Sequence, residues 1–207
     1  MNLESKLAGK LAGWRWRVTA ILLVLTSGLA VYVADTLYDA NFHVVVPGWA
    51  YRSGQMNARQ LTYVIQKYGI KSILNLRGEN PTKSWHQTEI AAAAKLNVVH
   101  YDRSLGAGTR LTLQQMNDLV TLLRQSPKPI LIHCLGGADR AGLVAALYRY
   151  AIGGQKPGAA DQELSIWYGH VPLIRPKVTA MDYSFWDYVS NHVFRTESNL
   201  QLKPASP

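Results

Sequence analysis

The chain has 207 residues, 48% of them hydrophobic, enough for one catalytic domain with a proper core and an accessory segment. Its 22 Lys and Arg outnumber 13 Asp and Glu, and the resulting net charge of +9 suits anionic partners such as phosphate esters or lipid headgroups. The cations are scattered and no zinc-finger or base-stacking motif accompanies them, which argues against nucleic acid; the single cysteine rules out an intramolecular disulfide and a cysteine-based zinc site.

Residues 1–17 carry Lys6, Lys10, Arg15 and Arg17 against Glu4, and residues 18–34 then run without a charge. As a helix, that uncharged stretch rises about 26 Å, and its flanks extend it to the hydrocarbon thickness of a bilayer. Trp14 and Trp16 mark one edge, Tyr32 and Tyr38 the other. The pattern predicts a transmembrane helix over 18–38, with a basic cytoplasmic segment (1–17) before it and the rest of the chain outside the cytoplasm. A cleaved signal peptide ending near residues 28–30 is the alternative.

Beyond residue 40, strands and helices alternate. Strands are expected at 42–46, near 51–54, and at 71–76, 97–101 and 129–133, and helices at 58–68, 84–95, 112–125 and 141–151. Asn57 and Gly69 bracket the first of these helices. Two more helices are expected near 159–168 and 179–193. This order predicts an α/β domain over 41–195 with a central, mainly parallel sheet flanked by helices, then a polar tail over 196–207.

The chemistry concentrates in PILIHCLGGADRAG, residues 129–142. A buried strand ends at His133, Cys134 opens a turn, and Arg140 starts a helix. The amides of Leu135, Gly136, Gly137, Ala138 and Asp139 can then ring a tetrahedral anion at a helix N-terminus. Arg140 can grip two phosphate oxygens, and the same field favours a Cys134 thiolate able to attack phosphorus. Asp102 is the candidate acid for the leaving oxygen, since it ends the preceding strand at the same sheet edge. His133 is expected to support the loop by hydrogen bonding. Asp139 is expected to brace it by pairing with an Arg or Lys, and is the second candidate for the acid.

HCLGGADRAG resembles the signature of the cysteine-dependent protein tyrosine and dual-specificity phosphatase superfamily. YRSGQ (51–55), GIKSILNLRGE (69–79) and VVHYD (98–102) are similar to segments of its compact bacterial and fungal members. Asp102 precedes Cys134 by 32 residues, similar to the acid-to-cysteine spacing of those enzymes. The resemblance implies a dual-specificity phosphatase-like fold, no metal or cofactor, and hydrolysis of phosphate monoesters through a phosphocysteine. It implies a phosphorylated protein, lipid or inositol as substrate, and a bacterial inner-membrane location with the domain in the periplasm. One departure stands out: Ala141 occupies the position where the family usually has Ser or Thr, which predicts slower hydrolysis of the phosphoenzyme or a different donor for that hydrogen bond. Two other readings follow from the same residues, an inactive phosphate-binding module on the membrane and a rhodanese-like sulfurtransferase. Arg52 and Arg77 are expected as structural partners of carbonyls or of Glu79. Arg103 and Arg110 are expected as surface charge or as binders of further phosphates, and Trp167, His170, Tyr183 and Trp186 as packing residues.

Overall fold

The structure, a computed structural model, describes residues 3–201. The chain divides into two compact units, Met1–Asp39 and Ala40–Pro207. In the first, helix α1 (Leu3–Tyr38) contains Gly13–Val31, which is long and apolar enough to cross a membrane. Its described side chains are mostly solvent-facing, so no protein core explains their apolar character.

The second unit is an α/β domain built on five strands, β1 (His43–Val46), β2 (Ala50–Ser53), β3 (Ser72–Asn75), β4 (Val99–Asp102) and β5 (Ile130–His133), in the order β1-β2-β5-β3-β4. Only β1 runs antiparallel; β2, β5, β3 and β4 pair in parallel. The helices are α2 (Ala58–Tyr68), α3 (Ser84–Lys95), α4 (Leu113–Gln125), α5 (Asp139–Leu147), α6 (Pro157–Ala160) and α7 (Thr179–Gln201). Alternate strand residues feed two cores. Leu74, Ile130 and Ile132 pack with α4, α5 and α7; Ile73 and Leu131 pack with α2 and α3. Each fully buried Ile or Leu contributes roughly 1.5–3 kcal/mol.

Local sequence sets several boundaries. Asn57 and Gln60 form a reciprocal cap at the start of α2, and Gly69, at φ 63°, ends it. Thr112 and Gln115 repeat the capping device on α4. Strand β4 starts two residues later than expected because Asn97 turns the chain at φ 57°. The helix expected over 141–151 begins at Asp139 and loosens into a wider π turn at Tyr148–Ile152. The helix expected near 159–168 is broken into short turns. There the Glu163 carbonyl accepts from the Arg52 guanidinium at 2.6 Å instead of continuing a helical ladder. Helix α7 continues to Gln201, into the expected tail, whose remaining residues 202–207 lie outside the described residues.

Candidate active site

The C-terminal ends of the four parallel strands share one edge of the sheet, with Ser53, His133, Asn75 and Asp102 level across it. Cys134 follows β5. Its N–H donates to the Ser53 carbonyl at 3.3 Å, and its side chain sits at the base of the loop, 3% exposed.

The loop after Cys134 has its carbonyls tied outward one by one. Leu135 O accepts from the Gln55 N–H at 3.0 Å and Gly136 O from Asn41 Nδ2 at 2.9 Å. Gly137 O and Ala138 O both accept from Arg52 Nη2, at 2.7 and 2.9 Å. In a trans peptide the N–H points opposite to the C=O, so the amides of Gly136, Gly137, Ala138 and Asp139 turn toward the inside of the loop. Gly137 is at φ 70°, and a Cβ there would lie 2.5 Å from the Gly54 nitrogen. Only glycine fits.

Arg52 is the floor of this arrangement. It is fully buried, pairs with Glu163 Oε2 at 2.7 Å, and lies 4.4 Å over the Tyr168 ring. Its expected role as a partner of carbonyls therefore holds, with Glu163 rather than Glu79 as the carboxylate. Arg140, in the first turn of α5, donates from Nη1 to Leu76 O and Leu105 O, both at 3.2 Å. Its Nε is buried with no partner among the described residues. Nη1 is thus held by two carbonyls, which leaves Nε to donate to an oxyanion at the loop.

The remaining expected site residues separate by sheet face. Cys134 packs with the α4–α5 core. His133, Asn75 and Asp102 project from the other face, toward α3. Asp102 Oδ1 accepts from Asn75 Nδ2 at 2.7 Å, and Oδ2 meets His86 Nε2 at 3.1 Å. His133 Nε2 meets Glu89 Oε1 at 2.9 Å, which bears on its expected supporting role. Asp139 pairs with Arg175 at 3.0 Å and with His170 Nδ1 at 2.7 Å. Burial alone would lower the His170 pKa, but Asp139 on one side and Asp182 on the other outweigh it and raise it to about 9.

Sequence reasoning passed over a buried carboxylate. Glu89 accepts from Gln55 Nε2 at 2.6 Å and meets His100 at 2.7 Å as well as His133. Burial favours its neutral form, yet these partners hold its pKa well below the usual carboxylate range. The available signal was spacing, since His86, Glu89 and Ala93 form the buried face of α3. Gln55 Oε1 in turn accepts from Arg77 Nη1 at 2.9 Å, and Arg77 stacks 3.6 Å over Trp85. Burial, with the charge of Arg140, lowers the Arg77 pKa from its ordinary value. Arg110 is committed to Asp187, while Arg103 is exposed and its guanidinium donates to Asp102 O at 2.8 Å. His170 is a buried hydrogen-bonding residue rather than simple packing, and Trp167, Tyr183 and Trp186 are exposed because the expected helix around 167 does not form and α7 turns the other two outward.

Comparison with known proteins agrees with this fold. The solved structure of P. aeruginosa TpbA, a cysteine-to-serine variant in complex with phosphotyrosine, superposes with a TM-score of 0.54 at 20% identity, covering 70% of this chain and 83% of that one. The core catalytic domain of the PP-IP phosphatase SIW14 from S. cerevisiae, in complex with citrate, gives 0.58 at 18% identity, covering 79% and 94%. PTPMT1 gives 0.52 at 13% identity, covering 73% and 98%. No curated protein matches the sequence. Residues 39–179 match the family described as Swiss Army Knife protein, DSP-PTPase phosphatase domain. The chain belongs to that family and is a phosphatase of the protein-tyrosine/dual-specificity type.

Proposed function

We propose that the protein hydrolyses phosphate monoesters through a phosphocysteine. The Cys134 thiolate attacks phosphorus and the P–O bond to the leaving group breaks. The amides of residues 136–139 and Arg140 hold the equatorial oxygens, and water then attacks the phosphocysteine to release phosphate and the thiolate. The observation that carries this reading is the run of four outward-tied carbonyls beside an Arg140 Nε with no partner among the described residues. The test is turnover of an aryl phosphate. The full-length protein should hydrolyse it with inhibition by vanadate, and Cys134→Ser should abolish turnover while still binding phosphate. Thiosulfate sulfurtransfer without vanadate sensitivity would favour the rhodanese-like reading instead.

The leaving oxygen needs a proton unless it is already a weak base. Asp102 is the acid in this proposal, and to deliver the proton it must leave Asn75 and His86 and swing toward the Cys134 side of the sheet. Its position on the far face supports a second reading, in which leaving groups need no proton, as with the phosphoanhydride of an inositol pyrophosphate; the SIW14 relative is named for such substrates. Asp102→Asn separates the two. Loss of about 10²–10⁴-fold on alkyl phosphates assigns the acid to Asp102, whereas unchanged rates across leaving groups assign the chemistry to anhydride-type substrates.

Helix α1 supports a single-pass location in the inner membrane with the catalytic unit on the periplasmic side, from the placement of Lys6, Lys10, Arg15 and Arg17 before the span. Protease added to intact spheroplasts should then digest the catalytic unit.

A further inference from the structure

The segment following the broken helix carries an unusual surface. Leu173 is 93% exposed, Trp167 79% and Ile174 78%, and Ile166 and the loop residue Leu135 are also open. Isolated exposed apolar residues are ordinary, but this many large ones in one short segment is the mark of an interaction surface. The segment is fastened to the cysteine loop. Asn41 Nδ2 donates both to Gly136 O at 2.9 Å and to Tyr168 O at 3.0 Å; Arg175 pairs with Asp139 and also donates to Gly169 O at 2.5 Å. The apolar residues therefore belong to the rigid surroundings of the site rather than to a free loop.

The sequence names the occupant. Gly13–Val31 is apolar enough to cross a bilayer, and Asn41 comes ten residues after its end. Ten residues reach about 35 Å even when fully extended. Asn41 is the residue that clamps Tyr168 and Gly136, so the tether enters the catalytic unit at the segment that bears Trp167, Leu173 and Ile174. Lys177 follows on the same exposed stretch, a cation beside apolar residues, the composition that suits the headgroup layer of an anionic bilayer. Indole and aliphatic side chains partition to that layer, and basic neighbours meet its phosphates.

We propose that the 166–174 segment docks onto the surface of the bilayer in which the chain's own N-terminal helix is embedded, so that the cysteine loop works at the lipid headgroup layer. This deepens the phosphatase reading and rests on it only for the activity readout.

The experiment uses the full chain in nanodiscs of phosphatidylcholine and phosphatidylglycerol. Lipids brominated near the headgroup should quench tryptophan emission, and Trp167→Phe should remove a quenched component beyond that of the tryptophans flanking α1. The double variant Leu173→Ser/Ile174→Ser should lower turnover of a phosphatidylinositol phosphate in the disc about tenfold or more, with turnover of a soluble aryl phosphate in the same discs unchanged. If Trp167 emission is not quenched, the proposal is overturned. It is equally overturned if the double variant affects neither substrate or both alike, and if quenching of Trp167 is relieved by adding a soluble phosphoprotein that competes for the segment. A wild-type protein inactive on aryl phosphate but quenched at Trp167 would sink the phosphatase reading and leave the docking surface standing.

Discussion

Ala141 lies directly after Arg140, fully buried, with no hydroxyl to offer the sulfur as it leaves phosphorus. In the proposed two-step reaction, the phosphoenzyme waits at the second step unless another group donates to the sulfur. A burst of product release equal to the enzyme concentration should therefore precede a slow steady state. Ala141→Ser should shrink the burst and raise the steady rate about tenfold or more; rapid-quench kinetics with an aryl phosphate will measure both. At the same scale, Gly137 was legible because backbone geometry restricts what its position tolerates. Its positive φ and its contact with Gly54 exclude any side chain. Glu89 and Asn41 were not legible. Each acts through partners far away in sequence, His133 for one and Gly136 for the other; helical spacing marks Glu89 as buried but names no such partner.

Among the elements, the capped helices were the best read. Asn57 with Gln60 and Thr112 with Gln115 write their own boundaries. The segment between α5 and α7 was the worst read, because its shape follows from tertiary demands: Arg52 takes the Glu163 carbonyl and carboxylate, and His170 and Arg175 reach back to Asp139. That segment also carries a pH signature. The folded His170 pKa of about 9 exceeds its ordinary value of 6.5, so the imidazolium favours the fold. The contribution is complete below pH 6.5 and disappears as pH rises through 9, for a total of about 3 kcal/mol at most. Thermal melts should fall in midpoint across pH 6.5–9, and His170→Gln should start lower and show a flatter profile over the same range.

At the level of the whole molecule, the division at Asp39/Ala40 separates a helix with no core of its own from a domain with two. Deleting residues 1–39 should leave the melting midpoint of the catalytic unit within about 3 °C of the full chain in detergent, measured by circular dichroism. A larger drop would mean that the helix supports the fold. The α/β class and the sheet edge bearing the site were readable at this scale from alternation alone, whereas which sheet face each side chain occupies was not. Strand register decides that, and it sets Asp102 and Cys134 on opposite sides. Cys134 is also the sole thiol of the chain. An oxidant that converts it to a sulfenic acid finds no second thiol in the same polypeptide to trap the product as a disulfide. Recovery must then come from an external reductant before further oxidation makes the loss permanent.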